Sequence, residues 1–241
     1  MPVALITGGS KGLGRALAAE LAGQGWDLVL DARTAGVLEE TARDLRGRFG
    51  TRVVAVPGDV TDAAHRADLV AAAGALGGLD LLVSNASVLG AEPLVRLDAL
   101  PLEGLRRALE TNVVAALGLV QEALPSLRAA EAGAVVVISS DAAAEPYPTW
   151  GGYGASKAAL DQLAAVLGAE EPGLRVWAVD PGDMGTDLYA AAVPEEADEV
   201  RPTPESVAPA FLRLIRERPA GGRFAAPALL EGWAGPGGGL R

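Results

Sequence analysis

Cysteine is absent from this 241-residue chain, which excludes disulfide bonds and thiolate metal sites. Long hydrophobic runs are absent too, since no uninterrupted apolar stretch approaches the roughly 18 residues that a bilayer crossing requires. The apolar stretch Val3–Ile6 near the start is short and has no basic residues before it, unlike a secretion signal. We therefore expect a cytoplasmic protein with no membrane partner, and we predict no metal cofactor.

Basic residues are in deficit, with 20 against 31 acidic ones and a net charge of -11. Nucleic acid would be repelled by such a chain unless a local basic stripe existed, and none is visible, so we exclude a nucleic-acid partner. Half of the residues are apolar, which is enough for a substantial core. No linker interrupts the chain, and we predict one domain over residues 1–241, with a flexible tail at 232–241.

Lysine and asparagine are scarce: the chain has only Lys11, Lys157, Asn85 and Asn112, against 18 arginines. A compact ammonium can perturb a neighbouring group in ways that a delocalised guanidinium does not. If a coding bias against lysine and asparagine were the only cause, the remaining four residues would be scattered along the chain. Instead, all four lie within the motifs described below. We therefore interpret these four positions as functional.

Tyr153 and Lys157 stand four residues apart in an Ala-rich stretch. On a helix they share one face, so a phenol and an ammonium become neighbours. Acid-base work near neutrality needs the tyrosine pKa to fall by roughly 3 units, and one positive charge about 4 Å away supplies about 4 kcal/mol toward that shift. The alternative is a chance pair on a solvated helix.

The N-terminal segment has the order apolar strand, glycine turn, helix, with glycines at positions 8, 12 and 14. In that context glycines let the backbone approach a phosphate, and the helix N-terminus presents free N–H groups. A tight turn without a ligand is the alternative. The position of the loop directly after the first strand favours a nucleotide.

Apolar strands alternate with helical segments along the chain, which predicts an α/β fold: a Rossmann-like, doubly wound parallel sheet of about seven strands with helices on both faces. The predicted strands are 3–6, 28–30, 53–56, 79–83, 135–138, 175–179 and 223–226. Predicted helices include 34–49, 62–76, 102–127 and one that begins at Pro204 with Thr203 as its N-cap. The acidic, Pro- and Ala-rich segment 190–204 suits either a substrate flap or a plain surface excursion.

At the end of the second strand, Asp31 and Arg33 would meet an adenosine ribose, where an acid holds a free hydroxyl and an arginine holds a phosphate. Arg33 and Lys11 together favour NADP(H), whereas Asp31 would favour NAD(H). Both residues could instead be solvated. The single histidine, His65, is predicted to lie on the surface.

Several motifs occur together: Thr7-Gly-Gly-Ser-Lys-Gly-Leu-Gly14, Asp59-Val60, Asn85-Ala-Ser87, Asn112, Ser140, Tyr153-x-x-x-Lys157 and Pro181-Gly182. In this order and spacing the chain resembles the short-chain dehydrogenase/reductase family in its compact single-domain form. The resemblance covers roughly residues 3–189. It implies an NADP(H)-dependent oxidoreductase that acts on a small carbonyl or alcohol substrate, assembled as a homodimer or homotetramer.

The same resemblance implies individual roles. Tyr153 would be the general acid or base, Lys157 would lower its pKa and hold the nicotinamide ribose, Ser140 would polarise the carbonyl, and Asn112 would support a proton-relay water. The implied cofactor contacts are Gly8, Ser10, Lys11, Gly12, Leu13, Gly14, Arg33, Asp59, Val60, Asn85, Tyr153, Lys157, Pro181, Gly182 and Thr186. The family's position for an NAD-selecting acid matches Ala32 and not Asp31.

Three departures from the family pattern stand out: Ser87 in place of the usual glycine, Asp183 after Pro181-Gly182, and Gly221-Gly222-Arg223-Phe224 in place of the usual C-terminal ending. The last weakens the expectation of a tetramer. A dinucleotide-binding sensor without turnover is an alternative function, although all four catalytic positions are filled. A sugar-nucleotide epimerase or dehydratase would need a larger substrate domain.

Overall fold

The computed structural model describes residues 1–196 and 198–232, so the predicted tail lies outside the described residues apart from Gly232. The strands are β1 (Val3–Ile6), β2 (Asp27–Ala32), β3 (Val53–Pro57), β4 (Leu81–Ser84), β5 (Ala134–Ile138), β6 (Arg175–Asp180) and β7 (Gly222–Ala225). The helices are α1 (Gly12–Gly23), α2 (Ala35–Phe49), α3 (Ala63–Leu76), α4 (Leu102–Leu109), α5 (Ala115–Ala129), α6 (Gly151–Glu170), α7 (Asp187–Ala192), α8 (Pro204–Glu217) and α9 (Ala226–Leu230).

All seven strands pair in parallel, in the order β3-β2-β1-β4-β5-β6-β7. Successive residues of β1 are buried on opposite faces: Ala4 and Ile6 belong to a core with α1, α2 and α8, and Leu5 to a core with α3, α5 and α6. A strand that is buried on both faces reads as a continuous apolar run. The predicted fold class is therefore confirmed, including the helices on both faces.

Strands β2 and β3 lie on one side of β1, whereas β4 and the strands after it lie on the other side, so the strand order reverses between β1 and β4. In an open parallel sheet, ligands bind beside such a reversal, at the carboxyl ends of the strands. The glycine loop follows β1 and Asn85 follows β4, so the fold brings these two motifs to the same edge. Thr7 Oγ1 accepts hydrogen bonds from the backbone N–H groups of Asn85 and Ala86, both at 2.9 Å, and ties the two strand ends together.

One prediction about the helices is wrong: the segment predicted as a continuous helix over 102–127 is divided. A π-helical turn, Glu110–Val114, separates α4 from α5 and contains the buried Asn112. Such wide turns occur often at functional sites. They have no characteristic amino-acid composition, so the sequence does not predict them. The predicted cap of α8 is confirmed, because Thr203 Oγ1 accepts a hydrogen bond from Ser206 N at 3.3 Å. Among the described residues, no helix is both long and apolar enough to span a bilayer.

Candidate active site

A cavity of about 880 Å³ opens at the carboxyl edge of the sheet. Its wall extends from the glycine loop, past the ends of β4 and β5 and the start of α6, to the segment that follows β6. Twelve of the predicted site residues line it: Gly8, Lys11, Gly12, Leu13, Arg33, Asn85, Ser140, Tyr153, Lys157, Pro181, Gly182 and Thr186. The fold therefore gathers most of the motif residues around one space.

Five predicted site residues lie outside this wall: Ser10, Gly14, Asp59, Val60 and Asn112. Gly14 packs behind the glycine loop, where a Cβ atom would lie 2.3 Å from the carbonyl oxygen of Gly8. The Asp59 carboxylate accepts hydrogen bonds from the backbone and the hydroxyl of Thr61. Gly14 must therefore remain a glycine for the loop to lie against α1, and Asp59 orders the turn that follows β3.

The glycine loop has the geometry of a phosphate cradle. Gly8 and Gly12 have φ angles of +65° and +51°, which L side chains rarely adopt. The N-terminus of α1 follows directly, so its free N–H groups and the positive end of its dipole face the cavity edge. Asn85 Nδ2 donates to the carbonyl oxygens of Thr7 and Gly8, at 2.8 and 3.3 Å, and holds the loop in this shape. These residues fit a pyrophosphate.

Three cations, Lys11, Arg15 and Arg33, line the end of the cavity next to this loop. Lys11 Nζ forms an exposed salt bridge of 2.9 Å with Asp187 at the start of α7. Arg15 was not among the sequence predictions. The sequence offers a hint of it, because Arg15 is a basic residue only four positions after Lys11, in the first turn of α1, where its backbone N–H donates to the carbonyl oxygen of Lys11.

The structure corrects two predictions about the part of the site where an adenosine would bind. The prediction that His65 is a surface residue is wrong, since only 7% of it is exposed. Its Nε2 atom lies 2.7 Å from Oδ1 of Asp31, which is itself buried. Glycine at position 58 makes room for the ring, since a Cβ atom there would lie 2.3 Å from His65 Nδ1. The Asp31 carboxylate is therefore committed to His65 and lies outside the cavity wall.

Tyr153 and Lys157 lie on the first turns of α6, one helical turn apart, as the sequence predicts. Both are buried, and the ammonium nitrogen of Lys157 is 5.5 Å from the centre of the tyrosine ring. Lys157 Nζ also donates a hydrogen bond of 2.7 Å to the carbonyl oxygen of Ile138, at the end of β5. The pair is therefore fixed against the sheet, at the wall of the cavity.

The pKa values of this pair differ from the sequence-based expectation that Lys157 makes the phenolate accessible. Burial raises the pKa of Tyr153, the charges of Asp180 and Asp141 act in the same direction, and a hydrogen bond with Ser87 acts against them. Burial also lowers the pKa of Lys157 to about 8. Desolvation penalises the charged form of each group, and it is the largest cause of both shifts. Tyr153 is therefore a protonated phenol at neutral pH, ready to donate.

Ser140 lies at the end of β5 and caps the short turn Asp141–Ala143. Its hydroxyl donates to Asp141 Oδ1 at 3.1 Å, and its Oγ accepts from Ala142 N at 3.2 Å. On the opposite side, Ser87 donates to Asn112 Oδ1 at 3.2 Å. Ser140, Ser87 and Tyr153 thus bring three hydroxyl groups to one part of the cavity wall.

Asn112 connects the loop after β4 to α6. Its Oδ1 accepts from Val88 N, and its Nδ2 donates to Val88 O and to Ser156 Oγ, all at 2.9 Å. Ser156 in turn donates to the carbonyl oxygen of Tyr153 at 2.7 Å. The buried amide thus has the partners that its burial requires, and it positions the turn that carries Tyr153. Ser156 was missed by the sequence analysis, although it lies three residues after Tyr153.

Arg223 on β7 reaches back to the site. It donates to the carbonyl oxygen of Ser140 at 2.8 Å and to the Asp161 carboxylate at 3.0 Å, and it lies 3.6 Å from Asp180. From the sequence, this region was noted only because it differs from the usual C-terminal ending of the family. The contacts show that β7 completes the support of Ser140.

Comparisons with known proteins agree with this geometry. The sequence model described as short chain dehydrogenase matches residues 2–197. An uncharacterized oxidoreductase of Saccharomyces cerevisiae is 35% identical over 189 residues, which are 77% of this chain and 72% of that protein. An alcohol dehydrogenase from the archaeon Thermococcus sibiricus, complexed with 5-hydroxy-NADP, has a TM-score of 0.84 and 28% identity, covering 93% of this chain and 95% of that one. A protein described as a short chain dehydrogenase from Shigella flexneri, complexed with NADP, has a TM-score of 0.88 and 27% identity, covering 94% and 97%.

Proposed function

We propose a function from one premise: the chain belongs to the short-chain dehydrogenase family. The protein is an oxidoreductase of that family. Our proposal is that it uses NADP(H) to interconvert a carbonyl compound and a secondary alcohol, with Tyr153 as the proton donor and acceptor. One observation carries the proposal: a buried, protonated phenol beside a buried ammonium, at the wall of a cavity whose other end has a glycine phosphate loop and three cations.

In this proposal the dinucleotide lies along the strand ends. The glycine loop and the N-terminus of α1 hold its pyrophosphate, Lys11 and Arg33 hold the phosphate on its adenosine ribose, and Lys157 holds its nicotinamide ribose. When bound, the reduced nicotinamide supplies the hydride. The Thermococcus and Shigella proteins were solved with such dinucleotides, which supports this choice of cofactor.

The chain's own residues supply the proton and the orientation. Tyr153 Oη donates its proton to the carbonyl oxygen as the hydride reaches the carbonyl carbon, so the product is a neutral alcohol. Ser140 Oγ–H turns from Asp141 to the same oxygen and stabilises its growing negative charge. Lys157 stabilises the phenolate that remains. In the reverse direction the phenolate accepts the alcohol proton.

A dinucleotide sensor without turnover is the alternative, and a panel of ketones distinguishes the two. We expect NADPH oxidation, followed by absorbance, with at least one ketone in a panel that spans neutral, cationic and anionic compounds. NADPH binding without turnover of any panel member would contradict the proposal and favour the sensor.

The cofactor preference has a separate test. We expect the double variant Lys11→Ala and Arg33→Ala to weaken NADPH binding by at least tenfold and to change NADH binding by less than threefold, because only NADPH carries the extra phosphate. Titration of each cofactor by calorimetry measures both effects. Arg96→Ala is a matched control, since its exposed side chain is outside the cavity wall. Tighter binding of NADH than of NADPH by the unaltered protein would refute the roles of Lys11 and Arg33.

Four features stay predictions: the cytoplasmic location, the assembly as a homodimer or homotetramer, the single-domain organisation, and the role of residues 190–204 as a flap. Within the described part of that segment, Arg201 pairs with Glu196 and Glu199 and its guanidinium lies 4.1 Å from the centre of the Tyr189 ring. Through Arg201 the segment contacts Tyr189, a residue of the cavity wall, and this contact supports the flap prediction.

A further inference from the structure

Charged side chains are unevenly distributed in the cavity wall. The cations Lys11, Arg15 and Arg33 line the end next to the glycine loop, where the phosphates of a dinucleotide belong; Asp187 and Glu205 also line the wall, and Asp187 is paired with Lys11. Beyond Tyr153 the wall carries carboxylates instead: Glu92, Asp141, Asp180 and Asp183. A negatively charged substrate would be repelled from this second end, where the reacting carbonyl must lie.

Aromatic rings are concentrated at the same end. Aromatic residues make up only 4% of the chain, yet all three tyrosines, Tyr147, Tyr153 and Tyr189, line the cavity together with Trp150. The Trp150 ring is 5.7 Å from the Tyr153 ring and 6.2 Å from the Tyr189 ring, measured between centres. Ring faces attract cations, and a site that combines rings with carboxylates is suited to an ammonium group.

Two arginines lie near this end, and each has carboxylate partners. Arg201 pairs with Glu196 and Glu199 and lies over one face of the Tyr189 ring, and Arg223 pairs with Asp161 and with Asp180 of the wall. Asp141 and Asp183 instead face the cavity. Asp141 accepts hydrogen bonds from Ser140 and Ala142, which orient it without neutralising its charge.

The carboxylates also oppose the proposed chemistry unless a cation accompanies them. Partial burial raises the pKa of the Asp183 carboxyl, and the charge of Asp141 raises it further. Burial is the main cause of the raised pKa of Tyr153, and the charges of Asp180 and Asp141 add to it, which makes the phenolate harder to form. A positive group bound among these carboxylates would offset the part of each shift that their charges cause.

We propose that the substrate is a cationic carbonyl compound or alcohol, which places a protonated or quaternary amine between Asp141, Asp183 and the rings of Trp150 and Tyr189. This inference rests on the proposed function and names its substrate class. The reaction itself is unchanged: the nicotinamide cofactor supplies the hydride, Tyr153 supplies the proton, and the amine takes no part in bond making. The ammonium group serves recognition and orients the carbonyl toward Tyr153.

Binding tests the charge preference without turnover. With NADPH present, the full chain is titrated by calorimetry with choline and with dimethylbutanol, the uncharged compound in which carbon replaces its nitrogen. We expect choline to bind at least tenfold more tightly, because the two differ in charge and hardly in shape. Equal affinities would overturn the inference.

Turnover tests the same preference in the reaction. The probes are acetonyltrimethylammonium, its carbon isostere neopentyl methyl ketone, and the anionic ketone levulinate. An ammonium group also activates an adjacent carbonyl, so the cation could react faster even without a binding preference. The readout is therefore the ratio of kcat/KM for the cation to kcat/KM for its isostere, compared between the unaltered protein and each variant. We expect Asp183→Asn and Asp141→Asn each to lower this ratio at least fivefold. Glu122→Gln, on an exposed position of α5, removes the same charge far from the cavity and should preserve the ratio.

The outcomes separate the two proposals. Turnover of neopentyl methyl ketone or levulinate with no preference for the cation would overturn the inference and leave the proposed function standing. Failure of every ketone, with choline still preferred over dimethylbutanol, would overturn the proposed function and support the cation site. A ratio that the Asp141 and Asp183 variants leave unchanged would overturn the inference.

Discussion

Replacing Tyr153 by phenylalanine is expected to lower kcat for ketone reduction by about a hundredfold to ten thousandfold, the range that a positioned general acid contributes. The substitution removes one hydroxyl from a buried ring and keeps its packing against Trp150. NADPH affinity should therefore change by less than threefold. Steady-state and single-turnover measurements with the best ketone of the panel give both values.

Tyr147→Phe is the matched comparison, because it removes the same atom from a second phenol in the cavity wall. The Tyr147 hydroxyl is hydrogen-bonded to Asp141. Its loss should lower kcat by less than tenfold. Undiminished hydride transfer in Tyr153→Phe would remove the proton donor from the mechanism, whatever the effect at Tyr147.

Replacing Lys157 by methionine is expected to separate activity from stability. We expect kcat/KM to fall at least a thousandfold, because the variant loses the charge that stabilises the phenolate and the donor for the nicotinamide ribose. At pH 7 the free energy of unfolding should stay equal or rise by up to ~2 kcal/mol. Denaturant unfolding, with activity measured on the same preparations, tests both.

The physical reason for this stability prediction is the desolvated ammonium. Burial lowers the pKa of Lys157 from 10.5 to about 8, so keeping the buried charge at pH 7 costs the unaltered protein about 3 kcal/mol of stability. The methionine variant avoids this cost. However, it leaves the carbonyl oxygen of Ile138 without its hydrogen bond, which costs the variant about 1–3 kcal/mol. Because the unfolded chain binds the proton more tightly, the penalty is complete below pH 8 and fades as the pH rises toward 10.5. The advantage of the variant should fade over the same range. A variant destabilised at pH 7 by more than 1 kcal/mol would contradict this account.

The fold could be predicted from the sequence because the evidence for it is local and periodic. Six of the seven strands contain an apolar run of strand length, the exception being β7, and the intervening helices have their own spacing of apolar residues. The glycine loop and the Tyr153–Lys157 pair could be found for the same reason, since their members are close in sequence and their geometry is dictated by one turn or one helix.

The rest of the site depends on contacts between distant segments, for which the sequence has no local signal. Asp31 and His65 are 34 residues apart, and nothing near either residue indicates that they meet. Asn112 and Ser156 are separated by 44 residues. The direction of the Tyr153 pKa shift was missed for a related reason: it depends on burial by the surrounding fold, whereas the sequence argument considered only the neighbouring charge.

The contact between Arg223 and Ser140 spans 83 residues and has a consequence for biosynthesis. On the ribosome, the glycine loop and the strands on either side of it emerge early and can assemble the dinucleotide-binding half. The carbonyl of Ser140 receives its guanidinium partner only when β7 has been translated. A nascent chain can therefore form the glycine loop and the strands beside it well before the carbonyl of Ser140 has its guanidinium partner.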